Sequence, residues 1–176
     1  MGELAKKVTA KNLNRGVKEV LTNSAELGIV SQTDYFDREI AKEQSIDGYY
    51  LVENGDFVYN PRISVSAPVG PIGRNELGRM GVVSPLYTVF RLTAPVDGAY
   101  LSQYFVTTCW HRFMKLEGNS GARSDRFSIG DSTFFEMPIP IPSILEQRLI
   151  GALFRDLDDL ITLRQRERIS GGAGDI

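Results

Sequence analysis

Leu101, Tyr104, Phe105 and Thr108 fall at i, i+3, i+4 and i+7, and Trp110, Phe113 and Met114 repeat the spacing, so residues 97–117 read as one helix with a buried face. Upstream the period is shorter. KEVLTNSAELGIVS, residues 18–31, holds two β-prone pieces, Val20 to Thr22 and Ile29 to Ser31, around the polar link NSAELG, which predicts strand, turn and strand. In DYFDREIAKEQ, Tyr35, Phe36, Glu39, Ile40 and Glu43 share one side of a predicted short helix, with Thr33 or Asp34 to cap it. GYYLVENGDFVYNPR predicts a hairpin, because YYLV and DFVY flank Asn54-Gly55, a dipeptide suited to the positive φ angles of a type I′ turn. Pro61 stops the hydrogen-bond ladder. A long irregular loop follows, with prolines at 68 and 71 and glycines at 70, 73, 78 and 81, until β-signal resumes over Val82 to Leu92. EGNSGARSDRFS, residues 117–128, reads as a second flexible piece.

The carboxyl-terminal pattern is the most regular. Prolines at 138, 140 and 142 force an extended entry, and Ser143 with Glu146 three residues on forms a capping box. Ile150, Leu153, Leu157 and Leu160 follow at intervals of 3, 4 and 3, a seam of heptad type that Phe154 and Ile161 widen. A helix from Ile144 to Arg168 has 25 residues, or ~37 Å at 1.5 Å per residue. That exceeds what a small domain covers, so a second helix is expected against it, from another copy or another protein. The glycines at 171, 172 and 174 end it. The expected fold is therefore α+β. Residues 1–142 form a globular domain with a twisted β-sheet and short helices, 143–170 a helix for coiled-coil-type pairing, and 171–176 a flexible tail.

Composition narrows the chemistry. No apolar run reaches the ~18 to 20 residues of a membrane span, and the start MGELAKKVTAKN lacks a signal peptide's apolar stretch; the expected location is the cytoplasm. One cysteine and one histidine exclude an internal disulfide and a Cys/His zinc site. Cys109 and His111, two apart on a helix, diverge rather than form a nucleophile–base pair, so a small buried thiol beside a surface ring is expected. No catalytic residue, metal or cofactor is expected. The net charge of −2 argues against non-specific coating of DNA, but its distribution is uneven. Lys and Arg number 7 against 10 acidic residues in 1–61, 8 against 4 in 62–126, and 5 against 8 in 127–176. Seven of the eight middle cations are arginine, suited to bidentate contacts with phosphate or guanine.

IPIPSILEQRLIGALFRDLDDLITLRQRE resembles the junction and conserved helix of type I restriction-modification specificity subunits. Glu146, Gln147, Ile150, Phe154, Leu157, Asp158 and Ile161 stand where that pattern has an apolar–proline pair, Glu-Gln, an aliphatic–aromatic stripe and Leu-Asp. VLTNSAELGIVSQ, IDGYYLVENGDFVYNPR and VVSPLYTVFRL also resemble the body of a target-recognition domain of that family. The resemblance implies a non-catalytic part that reads double-stranded DNA and directs a separate adenine methyltransferase (modification) subunit and a separate restriction subunit. It also implies two recognition domains and two antiparallel helices. This chain has one of each, so a homodimer, or pairing with a second specificity half through the helix, is expected. A symmetric pair would read a palindromic target around a spacer.

The loops 60–81 and 118–128 are expected to face DNA. Arg62, Arg74, Arg79, Arg123 and Arg126 are candidates for phosphate or guanine, and Asn60, Ser64 and Asn75 for adenine or bridging water. Ile150, Leu153, Phe154, Leu157, Leu160 and Ile161 are the candidate pairing residues. Two rivals stand beside this reading: a protein-interaction module with no DNA readout of its own, and a carboxylate nuclease built on Asp34, Asp37 and Glu39. Asn60-Pro61-Arg62-Ile63 lacks the second proline and the aromatic of an amino-methyltransferase signature.

Overall fold

The computed structural model describes residues 1–13, 16–32, 46–120 and 125–171, the last four as backbone. Among them are eight strands: β1 (Ala5–Lys7), β2 (Leu21–Ser24), β3 (Gly28–Ser31), β4 (Tyr50–Val52), β5 (Phe57–Tyr59), β6 (Ile72–Arg74), β7 (Gly81–Val83) and β8 (Thr88–Leu92). Four helices accompany them: α1 (Gly98–Val106), α2 (His111–Glu117), α3 (Asp131–Phe135) and α4 (Ile144–Gly171). The expected α+β class is found.

A central antiparallel sheet has the order β1-β8-β5-β6, and β2-β3 and β4-β7 form two small sheets. Register sets Lys7, Phe90, Phe57 and Arg74 in one row across the central sheet. Residues in a row share a face. That face turns Phe57, Tyr59 and Phe90 toward Leu101, Phe105, Trp110, Met114 and Phe134 of the helical side, the larger core. Phe57 and Phe90 stack at 5.2 Å, and Phe105 meets both edge-on. The opposite face packs Val58 and Val89 against Leu21, Ile29, Val52 and Val83 of the small sheets. Both sheet faces are therefore buried, and β5 is buried throughout.

Several expectations are corrected. The chain turns at Asn54-Gly55 with Gly55 at φ 93°, but β4 and β5 do not pair; β4 joins β7, while β5 lies between β6 and β8. Both edges of β5 are filled by later strands, β6 and β8, while the Asn75 amide donates to the Glu53 and Val52 carbonyls at the end of β4, at 3.1 and 3.5 Å. The β-signal over 82–92 resolves into two strands, parted by the turn around Pro85 and divided between two sheets. The long loop contains β6, which takes the free edge of β5. The helix expected over 97–117 is two, because Thr107 turns extended and its hydroxyl donates to the Tyr104 carbonyl at 2.7 Å. Trp110 then folds under, its indole N–H donating to the Phe105 carbonyl at 3.1 Å. Cys109 is exposed in that break, not buried. The short helix expected after Thr33, with Asp34, Asp37 and Glu39, lies outside the described residues.

The root of α4 is fixed as expected. The Ser143 hydroxyl and backbone N–H donate to the Glu146 carboxylate at 2.6 and 2.9 Å, closing the capping box and holding that carboxyl below its ordinary range. Buried Gln147 accepts from the Asp97 backbone N–H at 2.9 Å and donates to the Pro142 carbonyl at 2.8 Å. One turn on, Gly151 presses on α1, where an added Cβ would stand 3.1 Å from Ala99 Cβ. Past Gly151 every residue from 152 to 167 is exposed. No helix among the described residues is long and apolar enough to cross a membrane.

Candidate nucleic-acid interface

Strand polarity sorts the expected DNA-facing residues into two groups. β1 and β5 both run antiparallel to β8, hence parallel to each other, and β6 runs against them. Residues following Tyr59 and residues following Arg74 therefore leave the central sheet at opposite ends.

Beyond the Tyr59 end, Arg62 and Arg126 form an antiparallel bridge, flanked by bonds from Ile63 N–H to the Asp125 carbonyl at 3.0 Å and from Phe127 N–H to the Pro61 carbonyl at 2.8 Å. This pattern makes them a non-hydrogen-bonded pair, in which Cα atoms stand ~4.5 Å apart and side chains project to one side. Arg62 is exposed and makes no ion pair among the described residues, and Arg126 has Asp125 at 4.0 Å. Ser64 is exposed beside them, its hydroxyl 3.2 Å from that of Ser66. Arg123 lies outside the described residues.

Beyond the Arg74 end the cations are internally matched. Arg74 pairs with Glu76 at 3.0 Å, lies over the Phe57 ring, and reaches the Gly55 carbonyl at 3.4 Å. Arg79 pairs with Glu19 at 3.0 Å. Asn75, fully buried, donates to the Arg79 carbonyl at 2.9 Å and accepts from Leu77 N–H at 3.2 Å.

Asn60 is also buried. Its amide donates to the Asn23 carbonyl at 2.9 Å, and its oxygen accepts from Arg62 N–H at 3.0 Å. Both asparagines thus hold the loops in shape, and the expectation that their side chains meet bases is withdrawn. Asn23, which the sequence reading passed over, joins them: its amide donates to the Val58 and Pro71 carbonyls at 2.8 and 3.1 Å.

A cleft of about 580 Å³ opens between the β2–β3 turn, the segment before β6, and the α1–α2 break. Its charged groups are Glu26, Arg74 and Glu76. Burial first, then Lys115, hold the His111 imidazole below its ordinary value, so at pH 7 the ring is neutral. A cleft with net negative charge does not suit a phosphate backbone, which leaves the Arg62–Arg126 end as the better polyanion surface.

The pairing residues divide as well. Ile150 is half-buried at the level of Gly151, so it belongs to the root of α4 and not to the free seam. Leu153, Phe154, Leu157, Leu160 and Ile161 are all exposed, each by between 43% and 58%, and Leu163 adds to them. No protein-family model matches the chain, and no curated protein matches it.

Proposed function

We propose that this chain is a sequence-specific DNA-recognition component of a type I restriction-modification system, a half-subunit or fragment of the specificity subunit. It is non-catalytic and cytoplasmic, and it directs a separate adenine methyltransferase and a separate restriction subunit. The target-recognition head is residues 1–142, and α4 pairs it with a second half.

The observation that carries the reading is the Arg62–Arg126 bridge. Like charges set directly opposite each other across a strand pair are unfavourable, and Asp125 at 4.0 Å offsets little of that. An anion laid across both guanidinium groups relieves it, and DNA phosphate or a guanine edge is such a partner. The exposed apolar stripe of α4 supports the pairing half of the proposal, since a monomer would leave several large side chains in water, each at about 1.5 to 3 kcal/mol of forgone burial.

Alanine substitution at Arg62 and Arg126, tested in the assembled complex, separates the possible roles. Loss of a base reader costs about 1 to 3 kcal/mol at one position of the target, and loss of a phosphate contact weakens all sequences alike. Wild-type affinity and specificity in both variants would refute the assignment. An interaction module without DNA readout would instead bind its modification subunit identically with and without duplex.

A further inference from the structure

The acidic balance of residues 1–61 hides a basic start. Lys6, Lys7, Lys11, Arg15 and Lys18 face a single acid, Glu3, within the first 18 residues. The chain runs as β1 along the edge of the central sheet, continues with Val8 N–H donating to the Val89 carbonyl, and then crosses to β4, where Lys11 bridges Tyr50. Two ammonium groups converge there: Lys7 and Lys11 each lie 5.9 Å from the centre of the Tyr50 ring. Lys7 also pairs with Asp131, whose other oxygen is 3.5 Å from the Thr88 hydroxyl. Lys6, Lys11 and Lys18 make no ion pair among the described residues. The cluster thus holds more positive than negative charge around one aromatic ring, in contact with solvent.

Its position is what gives it a use. Since β1 and β5 run parallel and Lys7 is level with Phe57, residues after Lys7 leave the sheet at the same end as Arg62. Two strand spacings separate β1 from β5, ~10 Å at 4.8 Å each, close to the ~12 Å width of a DNA major groove. Following β6, by contrast, Arg74 and Arg79 each already have a carboxylate.

We propose that Lys7, Lys11 and Tyr50 form a second phosphate-contact strip for duplex DNA, lying beside the Arg62–Arg126 bridge. This rests on the reading of the chain as a DNA-binding head and adds to it a surface that holds backbone without reading sequence. Lysine suits that task, as a point charge on a flexible stem.

The test is the salt dependence of binding of the full chain, in complex with its modification subunit, to a 30-base-pair duplex of random sequence. Each phosphate contact contributes about −0.9 to the slope of log affinity against log salt. Lys11→Gln is expected to lower the magnitude of the slope by about 0.9, and Lys7→Gln with Lys11→Gln by about twice that. Lys11→Arg is expected to keep the wild-type slope, and all variants to select the same target sequence. Because Lys7→Gln also removes the Asp131 pair, thermal unfolding of each variant accompanies the titration, and the Lys11 variants decide the matter where Lys7→Gln does not fold. An unchanged slope in Lys11→Gln and in the folded double variant overturns the strip while leaving sequence recognition standing. A wild-type complex that binds random duplex with the expected slope changes yet selects no sequence retains the strip and removes the specificity role. No duplex binding at all removes both.

Discussion

Asn75 carries an amide that serves a base edge or a buried backbone equally well, and the structure commits it to the backbone. It bonds the Glu53, Arg79 and Leu77 main chain from full burial, so Asn75→Ala is expected to lower stability by about 1 to 3 kcal/mol through the carbonyls left unpaired. Urea unfolding checks this; a variant as stable as the parent would show those bonds to be dispensable. Nothing in the local sequence separates this asparagine from a recognition residue, because two of its partners, Glu53 and Val52, stand 22 and 23 positions upstream. His111 gives a pH prediction. The folded ring titrates below its ordinary value, because burial penalises the cation and Lys115 repels it. On acidification the unfolded chain takes up its proton first, so stability is fully present above pH ~6.5 and declines as pH falls from there toward the lower folded value. His111→Phe is expected to flatten that part of the stability profile. Proton NMR of the chain's single histidine reads the folded value directly; a midpoint at or above the ordinary one would contradict the assignment.

At the level of elements, α4 is legible in the sequence, because Ser143, Glu146 and the seam from Leu153 onward obey local rules that tertiary context does not override. The β-elements were legible as segments but not as pairs. Asn54-Gly55 turns the chain as expected, yet β4 and β5 enter different sheets, since their partners are β7 for the one and β6 and β8 for the other, all later in the chain. Thr107 and Trp110 likewise break a helix whose apolar spacing continues unbroken through the gap. The basic start is hidden in a balance taken over 61 residues, because the acidic positions after Lys18 outweigh it. Gly151 offers a test at this scale. Alanine at an exposed helical glycine raises stability by about 1 kcal/mol, but here a Cβ would stand 3.1 Å from Ala99 Cβ and from Tyr100 N. Gly151→Leu is therefore expected to lower stability by about 1 to 3 kcal/mol through overpacking and to loosen α4 from α1, visible as faster amide exchange at Gln147. A gain in stability would mean that the root of α4 is not packed as described.

The whole molecule combines a head, a fixed root, and a helix that stands bare for 16 residues, 152 to 167, or ~24 Å. On the proposed reading the bare seam pairs with a second half. Leu157→Asp with Leu160→Asp is accordingly expected to convert the dimer to monomer in analytical ultracentrifugation while leaving the thermal transition of the head in place; a double variant that sediments like the parent would put the pairing surface elsewhere. The central claim, that the head reads DNA sequence, is tested most directly by selection. The full chain, assembled with the modification subunit that the proposal assigns to it, is offered a pool of random-sequence duplexes, and the retained molecules are sequenced. The account predicts enrichment of one fixed motif, repeated as an inverted pair around a constant spacer when two copies of this chain pair with each other. Retained duplexes with the composition of the starting pool would contradict it.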